Sequence, residues 1–267
     1  MRKSIALVFL LSFPALFSQA ALAASSPWAE GTGVRVRLVT TGAPDGNGVI
    51  RGALDIDLAP GWKTYWRDPG DAGVPPQLDF SGSRNISVVD IAYPAPRRFD
   101  DEGGVWAGYK KPVRFGLVLK PGNTSKPMQL DAKVFIGVCR SICVPFQAQL
   151  SLDPSKNADD LMDAAIVANA FAALPAAPRK DFNAVEVKKT PTAFAVSAAL
   201  PKPGAAAELF VAAPKGYSFG SPKQLESENG KAIFSVPVLR GGKNIGSGSV
   251  KIPYTLVQGD QAVTGEL

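Results

Sequence analysis

Apolar and polar residues alternate along Val34-Arg35-Val36-Arg37-Leu38-Val39 and again along Leu54-Asp55-Ile56-Asp57-Leu58. A two-residue period sends successive side chains to opposite faces, so both runs predict half-buried strands. Between them, Ala43-Pro44-Asp45-Gly46-Asn47-Gly48 is a cluster of turn formers. Short apolar runs over 86–91, 113–119, 128–138 and 146–152 continue the series. Strands this short, separated by turns, predict an antiparallel sandwich for a first domain, 24–153.

The period then changes. Over 155–175, Leu161, Ala164, Ala165, Ala168 and Phe171 recur as an apolar helical stripe. Ser155 or Asn157 can cap this helix, Asp159 and Asp160 suit its first turn, and Pro175 and Pro178 end it. It predicts a helical connector, 154–180. Strand-like runs resume over 184–187, 193–199, 208–211, 232–238, 248–257 and 261–265, predicting a second β-domain, 181–267. That segment contains no cysteine, histidine or tryptophan, and packing or partner presentation is its expected role. The expected class is all-β, two sandwiches joined by a helix.

Residues 1–23 read as a cleavable export signal. Arg2 and Lys3 form its basic start, an apolar stretch runs over 5–17, and Ala21-Leu22-Ala23 is a small-x-small cleavage site. The stretch is short and interrupted by Pro14, and nothing downstream approaches about 18 uninterrupted apolar residues, so no membrane span is expected in the mature chain. Cleavage after Ala23 places the protein in the periplasm. Loss of Arg2 and Lys3 lowers the net charge from +6 to +4, with the remaining basic residues scattered, which argues against nucleic acid. The chain has no histidine. That removes the usual general base, the Ser-His and Cys-His nucleophile pairs, and most zinc and copper(II) sites.

Against this background the only two cysteines stand out, in the run Val138-Cys139-Arg140-Ser141-Ile142-Cys143-Val144-Pro145. Cysteines this close in an oxidising compartment are expected to form a disulfide, serving either as a staple or as a reagent. Closing a loop of about five residues contributes only roughly 2 kcal/mol, against about 4–5 for one of a hundred. So short a ring also strains easily, and strained or exposed disulfides are the labile, catalytic ones. The redox reading is therefore preferred. The flanking β-branched and aromatic residues place the pair in a tight loop between strands at one edge of the sandwich.

Unusual residues are densest in Gly61-Trp62-Lys63-Thr64-Tyr65-Trp66-Arg67-Asp68-Pro69-Gly70-Asp71-Ala72-Gly73-Val74-Pro75-Pro76, whose aromatics lead into a Pro/Gly-rich stretch expected to be irregular. A loop of this kind plugs the end of a sandwich or lines a site. A second candidate flap is Tyr93-Pro94-Ala95-Pro96-Arg97-Arg98-Phe99, leading into Trp106-Ala107-Gly108-Tyr109.

Taken in order, the 61–76 run, Asp79-Phe80-Ser81-Gly82-Ser83, Tyr93-Pro94-Ala95-Pro96, Gly108-Tyr109 and the Cys-x-x-x-Cys-x-Pro run resemble one family. It is the N-terminal periplasmic domain of the DsbD/ScsB thiol:disulfide interchange proteins, nearer the ScsB-like branch. The resemblance covers most of 28–153 and, more loosely, 154–267. It implies immunoglobulin-like sandwiches and a thiol–disulfide oxidoreductase, acting as a protein-disulfide reductase without a cofactor. It makes Cys139 and Cys143 the redox-active disulfide pair, shielded by an aromatic cap until a partner docks. The partners it implies are periplasmic thioredoxin-like or disulfide-isomerase-like proteins. Family members continue into membrane helices and a thioredoxin-like domain; this sequence ends at Leu267 with neither, which implies a separate membrane thiol electron donor.

Cap or pKa-tuning candidates are Tyr65, Trp66, Asp68, Asp71, Phe99, Tyr109, Arg140 and Pro145. Pro145 matches the family proline, and Arg140 is the local charge that would lower a thiol pKa, or else a solvated loop residue. Asp68 and Asp71 suit acid–base work if the aromatic loop folds over the pair, and turn formation otherwise. Two readings compete: a copper(I) binder using both thiolates and Met128, and an envelope scaffold whose disulfide only closes a loop.

Overall fold

Of the predicted alternation, the strands of the first half come together as two facing sheets. In chain order they are β1 (Ala29–Gly31), β2 (Val34–Thr40), β3 (Ile50–Leu58), β4 (Lys63–Tyr65), β5 (Gln77–Asp79) and β6 (Ile86–Ala92). Then follow β7 (Arg97–Asp101), β8 (Gly104–Tyr109), β9 (Val113–Pro121), β10 (Leu130–Cys139) and β11 (Cys143–Leu152). This computed structural model describes residues 25–267 except 71, 102–103, 124, 157–159, 191, 226–230 and 242–249. The leader expected over 1–23, and Asp71, Asn157 and Asp159, lie outside the described residues.

One sheet runs β1-β2-β3-β9-β6, the other β11-β10-β4-β8-β7 with β5 also paired to β10, and every pairing between these strands is antiparallel. Val36, Leu38, Ile56, Phe115 and Leu117 from the first sheet meet Val134, Ile136 and Val138 from the second in a single core. The intervening positions face outward. Arg35 and Arg37 on β2 bond Asp57 and Asp55 on β3 at 2.8 and 3.3 Å.

The helix α1 (Leu161–Ala172) is shorter than the 155–175 expected, and Asp160 is its cap rather than part of its first turn. The Asp160 side chain accepts hydrogen bonds from the amides of Met162 and Asp163. The buried face also differs from the stripe read in the sequence. Asp163, Val167 and Ala170 are buried, the last two against Val39 and Ala53 of the first sheet, while Leu161 is 84 % exposed. With alanine on every side the apolar period scarcely favours one face. The sheet decides, because the small side chains of Val39 and Ala53 let the helix approach closely there.

Eight strands follow: β12 (Asn183–Lys189), β13 (Ala193–Ala199), β14 (Glu208–Val211), β15 (Ser218–Phe219), β16 (Lys223–Gln224), β17 (Ala232–Arg240), β18 (Pro253–Gln258) and β19 (Gln261–Glu266). They form the sheets β12-β13-β17-β15, with β16 on β17, and β14-β18-β19. A second core of Phe182, Phe194, Val196, Phe234, Tyr254 and Leu256 lies among these elements. Two of their residues, Phe210 and Val257, belong instead to the first core.

The 61–76 run, read as a loop, begins as β4, paired on one side with β10 and on the other with β8, while its Pro/Gly-rich part, expected to be irregular, has no strand among the described residues. The flap likewise ends in the β7–β8 hairpin. Both sequences lack simple alternation because aromatic, charged and glycine positions each have a separate task on this sheet.

Candidate functional site

The strands β10 and β11 form a hairpin closed by Arg140, Ser141 and Ile142, in which Cys139 and Cys143 are direct partners. They are joined as a disulfide with their Cα atoms 4.0 Å apart. β11 is the edge strand of its sheet. The two cysteines differ in burial: Cys139 is 1 % exposed, while Cys143 is exposed.

Residues two apart on a strand share a face, and directly paired residues do too. The register Lys63↔Cys139 therefore puts Lys63 and Tyr65 of β4 on the outer face of the sheet with the disulfide. The Tyr65 hydroxyl lies 3.2 Å from Cys139 Sγ and 3.4 Å from Cys143 Sγ. Its ring meets Trp106 edge-on at 5.6 Å between centroids, and Trp106 stacks on Phe99 at 4.4 Å. Tyr65, Trp106 and Cys139 are all buried, with Phe99 and Ala72 packed against them.

Two glycines make room for this arrangement. A Cβ on Gly137 would stand 3.1 Å from the Tyr65 ring, and one on Gly108 only 2.3 Å from the Thr64 carbonyl oxygen. Thr64 itself points inward, and its hydroxyl donates to the Gly137 carbonyl at 2.9 Å.

Charge is organised around the aromatic stack. The Lys63 ammonium bonds Asp101 Oδ2 at 2.5 Å and lies 4.3 Å from the Trp106 ring centroid. The same Asp101 oxygen accepts from Trp106 Nε1 at 2.9 Å. Lys110 covers the Phe99 ring at 4.3 Å. Burial, and secondarily the Asp101 charge, raise the pKa of Tyr65 above that of an ordinary tyrosine. Its hydroxyl is therefore a standing hydrogen-bond donor toward sulfur.

The candidates read from the sequence divide into two groups. Tyr65 and Phe99 line the site, Phe99 through Trp106. Arg140 is exposed in the hairpin loop, with Nε 3.6 Å from where a Gly61 Cβ would lie, and Pro145 is exposed on β11 opposite Gly137. Trp66, Asp68 and Tyr109 lie elsewhere. Trp66 follows Tyr65 and so points to the opposite side, where its ring meets Phe210 at 5.9 Å. Asp68 Oδ2 accepts from the Ala213 amide at 2.7 Å. Tyr109 is in the first core and donates to the Pro94 carbonyl at 2.8 Å. Burial pushes its pKa well up, as expected of a core tyrosine.

Lys63 and Asp101 were not singled out in the sequence. The signal available was the period-2 spacing of Lys63 and Tyr65, legible only once this run is taken as a strand. Met128 is a buried core residue just before the start of β10, while Cys139 ends that strand. At about 3.3 Å per residue the nine steps of β10 alone span roughly 30 Å, which removes Met128 as a metal ligand beside the thiolates. Among the described residues no cluster of three or more cysteine, aspartate or glutamate side chains could hold a metal ion.

Residues 40–154 match the family model described as thiol:disulfide interchange protein DsbD, N-terminal. The chain also superimposes on the crystal structure of the N-terminal periplasmic domain of ScsB from Proteus mirabilis, with a TM-score of 0.71 at 21 % sequence identity. That alignment covers 92 % of this chain and 98 % of the other, and at this identity the likeness is one of fold. Sequence comparison with curated proteins gives no match. The resemblance read from the motifs thus stands, for the family model over the first domain and for the fold over nearly the whole chain.

Proposed function

We propose, from a first domain that resembles the DsbD N-terminal domain, that this protein exchanges thiols and disulfides with partner proteins through Cys139 and Cys143. The domain organisation proposed with it is a leader, 1–23, a redox sandwich, 24–153, a helical connector, 154–180, and a second sandwich, 181–267. The periplasm is the compartment, thioredoxin-like or disulfide-isomerase-like proteins are the partners, and a separate membrane thiol protein is the electron donor. Among the described residues no helix is long and apolar enough to cross a membrane.

One observation carries the reading: a disulfide between an exposed cysteine and a buried one, with the Tyr65 hydroxyl in hydrogen-bond reach of both sulfurs. A donor thiolate attacks Sγ of Cys143, the exposed cysteine of the pair. The Cys139–Cys143 bond breaks, and Cys139 leaves as a thiolate that accepts a hydrogen bond from Tyr65. The donor's second thiolate then attacks its own sulfur in the mixed disulfide and releases Cys143, leaving this protein reduced by two electrons and the donor oxidised. Toward an oxidised partner the steps reverse: Cys143 attacks the partner disulfide and Cys139 resolves the mixed species.

The deciding experiment is the reduction potential of the pair, by equilibration in graded thiol buffers, alkylation and intact mass. A value well above about −300 mV supports exchange. A lower value, or a pair reduced only on unfolding, makes the disulfide a staple and the protein a scaffold. Single substitutions add a second check. Cys139→Ala leaves the exposed thiol and should accumulate mixed disulfides with thioredoxin-fold proteins, whereas Cys143→Ala leaves a buried thiol and should accumulate few. Equal capture by both variants would reverse the assigned order of attack.

A further inference from the structure

The strand period that aims Tyr65 and Phe99 at the disulfide side aims their chain neighbours the other way. Trp66 follows Tyr65, and Arg98 precedes Phe99. Both neighbours end against the second β-domain, at a single point. Trp66 meets Phe210 edge-on at 5.9 Å, and the Arg98 guanidinium lies 4.8 Å from the same ring centroid. Arg98 Nη2 donates to the Leu209 carbonyl at 2.8 Å, and its Nε is 3.8 Å from the Glu208 carboxylate. Asp68, three residues beyond Tyr65, accepts from the Ala213 amide at 2.7 Å. Four of these partners, Glu208, Leu209, Phe210 and Ala213, come from one short stretch on and just after β14.

The contacts are well placed to transmit position. Phe210 is 2 % exposed and belongs to the first domain's core, and Trp66 is 1 % exposed. Arg98 is largely buried, so its hydrogen bond to a carbonyl and its ion pair with a carboxylate are made where water competes weakly. Trp66 directly follows β4 with its amide donating to the Ala107 carbonyl at 3.1 Å, and Arg98 and Phe99 are successive residues of β7, so neither step has much freedom. A fixed Trp66 therefore fixes Tyr65, and a fixed Arg98 fixes Phe99 and, through stacking, Trp106.

We infer that β14 of the second domain is a positioning element for the redox pair, holding Tyr65 and the Phe99–Trp106 stack in register with the sulfurs through Trp66, Asp68 and Arg98. This role rests on the exchange reading above. It gives the second domain a task although it contributes no group that touches sulfur. The second domain acts by keeping the Tyr65 hydroxyl where it meets the leaving Cys139 thiolate.

The test is the rate at which dithiothreitol reduces the disulfide in the full-length mature protein, read by quenching and intact mass. It would be run on wild type, Tyr65→Phe, Arg98→Ala, Phe210→Ala and each of the last two combined with Tyr65→Phe. Cys143 is exposed already, so loosening the stack does not improve access. Arg98→Ala and Phe210→Ala should each slow reduction at least about threefold, within the range shown by coupled residues. Added to Tyr65→Phe they should slow it no further, because both act through that hydroxyl. Additive losses, or single variants within a factor of about two of wild type while the urea midpoint falls, would reduce β14 to a packing element. Should Arg98→Ala not fold, Arg98→Lys keeps the charge but loses the forked contact to Leu209 and Glu208. It then serves in the same cycle. A wild type reduced only on unfolding overturns the exchange reading itself, an outcome distinct from wild-type exchange with unaffected variants.

Discussion

At the scale of single residues, Tyr65 carries the most chemistry. Its hydroxyl is near both sulfurs, and burial with the Asp101 charge keeps it protonated beyond the usual tyrosine range. A hydrogen bond to a charged acceptor is worth about 1.5–3 kcal/mol, so removing it from the Cys139 thiolate should slow disulfide cleavage about tenfold or more. Tyr65→Phe tests this in stopped-flow reduction. A pH–rate profile rising only with the attacking thiol, without a tyrosine step below pH about 10, is expected of wild type. An unchanged rate for Tyr65→Phe would leave the hydroxyl a spectator.

Asp163 is the contrasting case of a carboxylate placed for packing. It is buried on the face of α1 that meets the first sheet, and burial is the main cause raising its pKa. The folded state therefore holds this proton at a pH where the unfolded chain has lost it. Stability contributed at low pH is lost as pH rises from the unfolded value of about 3.8 toward the raised folded one. Asp163→Asn should thus gain on wild type as pH increases from about 3.5 to 7, by urea midpoint. A variant that instead loses ground over that interval would show that Asp163 is stabilised as the anion, by the helix N-terminus.

At the scale of elements, the site depends on β4 fitting between β10 and β8 with backbone close to backbone. Gly108 marks the tightest approach, and a Cβ there would lie 2.3 Å from the Thr64 carbonyl oxygen and 2.9 Å from the Trp106 ring. Neither atom can yield without moving β4 or the stack. Gly108→Ala should cost on the order of 1–3 kcal/mol by denaturant unfolding and slow exchange as well, because Tyr65 pairs directly with Gly108. Full stability with unchanged exchange would mean that the sheet here is more pliant than its register implies. Strands with plain alternation were legible in the sequence: β2, β3, β9, β13, β14 and β19 begin or end within a few residues of where the pattern puts them. Of the strands that build the site, β10 and β11 were legible too, close to the runs 128–138 and 146–152, but β4 and β7 were not. β4 is three residues long and runs into Arg67-Asp68-Pro69-Gly70, and β7 is mostly charged, so neither offers a period to read. The cysteines could be found because they are the only two, and Tyr65 and Phe99 because large aromatics in turn-rich segments are conspicuous. Trp66 and Tyr109 drew attention for the same reason and proved to be core. Composition marks an aromatic as important but does not tell which way it points.

At the scale of the whole molecule, the two β-domains are not independent bodies. Phe210 and Val257, from strands of the second, are built into the core of the first. α1 packs on the outside of the first sheet, and Ala176, just beyond it, bridges to Val263 of β19. A chain with two separable sandwiches would melt in two steps, each with the enthalpy of a domain of about 100 residues. Sharing of core residues predicts a single calorimetric transition, with calorimetric and van't Hoff enthalpies in agreement. Phe210→Ala should then do more than lower the midpoint. Truncating a buried phenylalanine costs roughly 3–5 kcal/mol, and here the loss falls at the junction. The expected result is two resolved transitions, the first accompanied by exposure of Trp66 and a red shift of its fluorescence. A wild type that already melts in two steps would place the boundary between independent domains at this junction and leave Phe210 a surface contact between them. A Phe210→Ala that still melts in one step at a lower temperature would locate the coupling in α1 and the 176–263 bridge instead.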